Sequence, residues 1–248
     1  MNTQTAKMKK EYELNDIVHS TRKISVTLPN LVFYYCNYKT DNYNDISLRN
    51  YVDSLTYNQL RSSSTKRKIE FLAGRLLAKK ALSDFGENVC LISIKKNHLP
   101  AWPEKYIGSI SHSNGAAISI VARKSEYQGI GIDIESYMED ATTKEIEKKI
   151  LTTDDFIFFK KTPLDKTIIT LIFSAKESLF KALYPEAGHY FSFKAAKIEL
   201  INFQKGLISL KLLTTLSPTL QKGSCFNGFF KLDTDHVYTC ILNPKQKN

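Results

Sequence analysis

The sequence predicts an α+β protein built of two units, and three observations carry that prediction. The chain has 248 residues, enough for two compact domains near half that size. Each half contains one strongly helical segment. Around each helical segment lie several short runs rich in β-branched and aromatic residues, with Gly and Pro between them.

Taken in order, residues 24–36 (ISVTLPNLVFYYC) read as strand, broken at Pro29. Residues 41–64 are polar with scattered Leu and Tyr, and read as loop and short helix. Residues 65–85 (TKRKIEFLAGRLLAKKALSDF) form the first clear helix, full of good helix formers and stopped at Gly86. PAWP at 100–103 marks a rigid turn. Residues 107–112 then lead into a buried-looking strand at 116–122 (AAISIVA), a turn at 124–128 and a second strand at 129–135 (GIGIDIE). Residues 168–184 (IITLIFSAKESLFKALY) form the second strong helix, expected to close at Pro185 and Gly188. The tail offers strand-like runs at 198–203, 207–213 and 237–242. The boundary falls near Glu126, giving units 1–126 and 127–248.

Composition narrows the function classes. Hydrophobic residues make up 42% and charged residues 24%, as in ordinary globular proteins. Thirty-five basic against 25 acidic residues give a net charge of +10, which points toward an anionic partner or, more plainly, lysine-rich solvated faces. No stretch is apolar for long enough to cross a bilayer. The polar first 23 residues carry Lys7, Lys9 and Lys10 without the apolar core of a signal peptide. Cys36, Cys90, Cys225 and Cys240 are widely spaced without C-x-x-C pairing, so neither a zinc site nor a disulfide framework is indicated. A cytoplasmic protein is the expectation.

Four segments offer chemistry. In GIGIDIE, residues two apart share a strand face, so Asp133 and Glu135 point one way while Ile132 and Ile134 point the other. Paired carboxylates of this kind suit Mg²⁺, but for this motif alone a half-buried strand with a solvated charged face is the better reading. In FSAKESLFKAL, Glu177 and Lys181 are four apart in the favourable acid-before-base order, beside Lys176; a surface ion pair on an amphipathic helix accounts for that too. The small-residue segment GSISHS, 108–113, offers backbone amides, Ser111 and His112 to a phosphate, although a lone histidine there is more often structural. On the first helix, Arg67, Lys68, Arg75 and Lys79 fall within roughly a third of the circumference. Arginine forks suit phosphate, and a solvated basic face is the bland reading.

In combination and order, KRKIEFLAGR, PAWP, IGSISHS, GIGIDIE and FSAKESLFKAL closely resemble the 4′-phosphopantetheinyl transferases, of the two-lobed kind represented by enterobactin-synthetase component D and the surfactin-type enzymes. The resemblance runs over residues 65–183, about half of the chain. It implies two similar α/β lobes related by a pseudo-twofold axis with the active site between them, the first lobe binding the nucleotide of coenzyme A and the second its pyrophosphate and a metal. It implies transfer of the 4′-phosphopantetheine group from coenzyme A to a serine of an apo peptidyl, aryl or acyl carrier protein, in nonribosomal peptide or siderophore synthesis. Asp133, Glu135 and Glu177 correspond to the family's Mg²⁺ ligands, with Mn²⁺ as an alternative ion, and Glu177 to the base that takes the serine proton. Lys176 and Lys181 correspond to basic residues near the pyrophosphate, Ser111 and His112 to contacts on the coenzyme A phosphates, and Arg67 and Arg75 to arginines at the nucleotide end. Where many relatives carry a basic residue before the turn's first proline, this chain has Leu99, with Lys95 and Lys96 nearest. The resemblance also implies a monomer and no nucleic-acid partner. The competing expectation is a non-catalytic basic module that binds a carrier protein or nucleic acid on the same fold.

Overall fold

In the computed structural model, the described residues are 18–245, without 26–27, 29, 41–42, 44–47, 50, 90, 96–97 and 161–162. The expected break at Pro29, as well as Cys90 and Lys96, therefore lie outside them. The chain divides into two compact units, residues 1–121 and 122–248, each a long helix packed on an antiparallel or mixed-order sheet.

In the first unit, β1 (Val18–Ile24), β2 (Leu31–Tyr38), β3 (Tyr106–Ser113) and β4 (Ala116–Arg123) form a sheet in the order β1-β2-β4-β3. The single strand expected at 24–36 is instead two: Ile24 ends β1, and β2 begins at Leu31. β1 is a polar edge strand that its sequence does not announce, because antiparallel pairing with β2 rather than apolar patterning holds it. Asn114 and Gly115 join β3 to β4, both at positive φ (39° and 81°), which is the two-residue turn whose twist matches a hairpin. The Trp102 ring of the PAWP turn lies over Gly108 of β3.

A short helix α1 (Ser54–Leu60) precedes α2 (Thr65–Ser83). Ser64 caps α2 by accepting a hydrogen bond from the Arg67 amide at 3.3 Å. Ile69, Leu72, Ala73, Leu77, Ala78, Ala81 and Leu82 of α2 are fully buried, and the helix packs on β2 and β3.

The second unit has five antiparallel strands in the order β5-β9-β8-β7-β6, namely β5 (Tyr127–Ser136), β6 (Ala196–Asn202), β7 (Leu207–Leu212), β8 (Cys225–Leu232) and β9 (His236–Pro244). Between β5 and β6 come α3 (Asp140–Ile150), α4 (Thr153–Phe158) and α5 (Lys166–Ala187). α3, α4 and β8 escape the sequence reading. α3 has few apolar positions, α4 is only 6 residues long, and Gly228 interrupts β8. Of the two residues expected to close α5, Gly188 does so and Pro185 lies inside the helix. The helix runs to Ala187 and ends at Gly188 (φ 71°), whose amide donates to the Tyr184 carbonyl at 3.0 Å. A proline so near the end removes one backbone hydrogen bond and leaves the last turn intact. Among the described residues, no helix is long and apolar enough to cross a membrane.

α5 packs chiefly on β5 and β9, and its approach to β5 is very close. A methyl group on Gly131 would overlap the Ser178 carbonyl oxygen, and one on Gly129 the Ala182 carbonyl oxygen. Only glycine admits helix backbone at this distance. Gly131→Ala must push α5 off the strand and is expected to lower unfolding free energy by about 1–3 kcal/mol or more, read from urea denaturation.

Candidate functional site

Strand alternation places Gly129, Gly131, Asp133 and Glu135 on one face of β5, and the glycine contacts identify that face as the one under α5. Where the glycines stop, the carboxylates begin. Asp133 is 2% exposed, and its Oδ1 accepts from Lys181 Nζ of α5 at 2.7 Å. The same ammonium donates to the Ile132 carbonyl at 3.1 Å. Glu177, one turn before Lys181, is half-buried. Burial pushes its carboxyl above the ordinary glutamate range; the Lys181 charge opposes that shift and the Asp133 charge adds to it. Asp133, Glu177 and Lys181 thus sense one another, and Glu135 stands two residues along the same strand face.

Hydroxyl groups beneath these residues fix the helix. Thr239 of β9 lies directly across from Asp133. Its Oγ1 is 2.9 Å from Ser174 Oγ and 2.8 Å from Ser178 Oγ, and Ser178 Oγ also donates to the Thr239 carbonyl at 3.1 Å. Both serines are one turn apart on α5 and bracket Glu177, so its axial position and rotation are pinned through a buried network.

Lys176 is placed elsewhere. Its side chain is 1% exposed, and Nζ donates to Asp155 Oδ2 at 2.9 Å and to the Ile150 carbonyl at 2.6 Å. Burial lowers its pKa, with Asp155 opposing the shift. Asp155 itself is completely buried and fully used: Thr152 amide and hydroxyl donate to Oδ2, and the Ile198 amide donates to Oδ1 at 2.7 Å. The expected pyrophosphate contact from Lys176 is therefore replaced by a structural role, because its ammonium is committed to a hub tying α3, α4, α5 and β6 together. Asp155 was detectable as the fourth residue of the T-x-x-D capping pattern at 152–155, yet nothing in that pattern names a buried lysine as its partner.

In the first unit, α2 and β3 bring Arg67 and His112 together, with Arg67 Nη1 2.8 Å from His112 Nε2. Glu70, which sequence reasoning did not single out, completes the group: Oε2 is 3.4 Å from His112 Nδ1 and Oε1 accepts from the Tyr38 hydroxyl at 3.4 Å. Its spacing of four from Lys66, at 3.9 Å, was the available signal. Arg75 is 6% exposed and stacks on Phe71 with its guanidinium carbon 4.7 Å from the ring centre. Its Nε has no hydrogen-bond partner among the described residues. Burial, followed by the neighbouring Arg67 charge, pushes its pKa down to about 10. A buried cation in that state calls for an anion. Ser111 is buried on β3. Lys68 is buried and Lys79 exposed, so the basic stripe read from the helical wheel is partly a packed face. Leu99 lies in a tight turn, its carbonyl accepting from the Lys95 amide at 2.8 Å.

The donor set in the second unit suits a hard divalent cation of the Mg²⁺ kind, which takes one or two carboxylates and fills its other positions with water and phosphate oxygens. Among the described residues, no three His, Cys, Asp or Glu side chains are grouped to hold a metal ion, so the expected ligands Asp133, Glu135 and Glu177 do not form such a group.

Comparison with known proteins gives a consistent set of relatives. A family model described as the 4′-phosphopantetheinyl transferase N-terminal domain matches residues 56–122, and one for the 4′-phosphopantetheinyl transferase superfamily matches residues 129–241. The enterobactin synthase component D of Salmonella typhimurium is 33% identical over 182 residues, covering 73% of this chain and 74% of its own. That of Escherichia coli strain K12 is 40% identical over 127 residues, or 51% of this chain and 59% of its own. A 4′-phosphopantetheinyl transferase of Nocardia iowensis is 30% identical, covering 56% and 62%. Among solved structures, the Thermotoga maritima holo-[acyl-carrier-protein] synthase matches 49% of this chain and 66% of its own, with a TM-score of 0.38 and 19% identity.

Removing Asp155 strands the buried Lys176 ammonium. Asp155→Ala is expected to cost about 3–5 kcal/mol in chemical denaturation, and the double variant Asp155→Leu with Lys176→Met recovers only the part due to the stranded charge, because the Thr152 and Ile198 amides still lose their acceptor.

Proposed function

The chain belongs to the 4′-phosphopantetheinyl transferase superfamily, and from that premise we propose how its residues divide the work of moving phosphopantetheine from coenzyme A to a carrier-protein serine. In the reaction, the serine oxygen forms a bond to the phosphorus of the pantetheine-side phosphate, the pyrophosphate P–O bond breaks, and 3′,5′-ADP leaves. The observation that carries the assignment of residues is the grouping of Asp133, Glu177 and Lys181 at the α5–β5 contact, with Glu177 holding a proton affinity above that of an ordinary glutamate.

Glu177 accepts the serine proton. Its burial and the Asp133 charge make it a better base than an exposed carboxylate, and a positioned base of this kind contributes about 10²–10⁴ in rate. Lys181 moves from Asp133 toward the pyrophosphate oxygens, exchanging one anion for another at little electrostatic cost. Asp133, Glu135 and Glu177 are the residues that would hold Mg²⁺, together with water and phosphate oxygens, and the ion would supply charge neutralisation for the pyrophosphate and the departing oxygen. In the first unit, Arg67, Arg75, Ser111 and His112 take phosphates of coenzyme A. The buried, anion-hungry Arg75 supports this reading more than the exposed Arg67 does.

For the acceptor, we propose a peptidyl or aryl carrier domain of a siderophore-type assembly system in the cytoplasm. The relatives named enterobactin synthase component D support that choice, and the +10 charge favours the encounter with an acidic carrier.

Incubating the protein with coenzyme A, Mg²⁺ and an apo peptidyl carrier domain, and weighing the carrier by intact mass spectrometry, tests the assignment. The expected outcome is a gain of one phosphopantetheine, abolished by EDTA and restored by added Mg²⁺. Asp133→Asn and Glu177→Gln are expected to slow transfer by about 10²-fold or more with the fold intact, while Lys176→Met affects stability before rate. Undiminished transfer by Glu177→Gln would remove it from the role of base. Unchanged transfer after EDTA would remove the metal.

A further inference from the structure

Around His112 the polar groups form a chain with a fixed direction. A guanidinium has only donors, so His112 Nε2, 2.8 Å from Arg67 Nη1, accepts and carries no proton. The ring proton therefore sits on Nδ1, facing Glu70 Oε2 at 3.4 Å. Glu70 is a carboxylate with only 7% exposure. The groups facing it are His112 from β3, the Tyr38 hydroxyl from β2 at 3.4 Å and, on its own helix, Lys66 at 3.9 Å; Arg67 reaches it through the imidazole.

We infer that Glu70 is a positioning residue for phosphate recognition: it holds the His112 proton on Nδ1 and stabilises the imidazolium that forms when a phosphate of coenzyme A takes over the Arg67 N–H bond. The inference rests on the reading that this cluster binds coenzyme A. A phosphate oxygen is a stronger acceptor than a neutral imidazole, so Arg67 turns to it and the Arg67–Nε2 bond breaks. The Nε2 lone pair would then face an anion, which is repulsive. Taking one proton from solvent makes Nε2 a donor to the phosphate, and the new positive charge lies against Glu70. Without that carboxylate, the proton has to be taken up beside Arg67 and Lys66 alone, and binding weakens as the solution becomes more alkaline.

Titration calorimetry of coenzyme A into the protein at pH 8, in two buffers of different ionisation enthalpy, reads the protons taken up. The wild-type chain is expected to take up close to one proton, and E70Q close to none. The E70Q dissociation constant is expected to rise about tenfold at pH 8 and much less at pH 6, where free imidazole is already largely protonated. E70D, which keeps the charge, should recover most of the uptake; if it behaves as E70Q, the charge of Glu70 is not the cause and the inference falls. His112→Ala separates the two levels. Unchanged coenzyme A affinity in that variant overturns the binding site itself, whereas weakened affinity there with full proton uptake in E70Q overturns only the role of Glu70. On the wild-type protein, imidazole nitrogen NMR should show His112 as the Nδ1–H tautomer when free and as imidazolium with coenzyme A bound. A ring that stays neutral in the complex would overturn the inference without any variant.

Discussion

The backbone of α5 rests directly on Gly129 and Gly131 of β5, and the chemistry of the second unit is arranged around that contact. Two glycines remove the side-chain layer that ordinarily separates a helix from a sheet. The next residue on the same face, Asp133, then meets the helix at a distance where a single side chain bridges, and Lys181 does so at 2.7 Å. Had either glycine been alanine, the helix would stand farther off and the carboxylates of strand and helix would act as separate surface charges. The G-x-G-x-D-x-E spacing is therefore one device, with close packing in its first half and charge in its second.

The helix is held in its seat from two sides by different means. On one side, the Ser174 and Ser178 hydroxyls meet the Thr239 hydroxyl in a buried network, and Ser178 also donates to the Thr239 carbonyl. On the other, the Lys176–Asp155 pair is buried with its remaining hydrogen-bonding capacity taken up by Ile150, Thr152 and Ile198. Such a pair adds little net stability over an apolar one, but a misplaced helix would break it at large cost. Its effect is specificity: α5 has one acceptable rotation, and that rotation turns Glu177 toward Asp133 and Lys176 away from it.

The first unit handles charge differently. Its cations are partly packed rather than all solvated on a helix face, with Arg75 stacked on Phe71 and its pKa lowered by burial to about 10. Glu70 sits among them as the only acidic residue on α2, balancing Arg67 through an imidazole rather than pairing with it directly. An anionic ligand can displace that indirect contact more readily than a direct salt bridge.

The sequence by itself determined the α+β class, the two main helices and most strand positions, because these follow from periodicity and caps that are local along the chain, and its ordered motifs carried the resemblance to the family. It also offered Asp133, Glu135, Glu177, Lys176, Lys181, Arg67, Arg75, Ser111 and His112 as candidates, since each belongs to a spaced pattern of chemically suited residues. What it left open is which neighbours those side chains meet. Lys176 and Lys181 flank the same glutamate and look equivalent as letters. Only the packing of α3, α4 and β6 shows that one ammonium is buried on Asp155 while the other lies on Asp133. Glu70 and Thr239 likewise gain their roles from residues 42 and 106 positions away, His112 and Asp133, across turns that no local pattern encodes. Contacts between distant segments are fixed by how the hydrophobic faces pack, and that is decided by the folded chain as a whole.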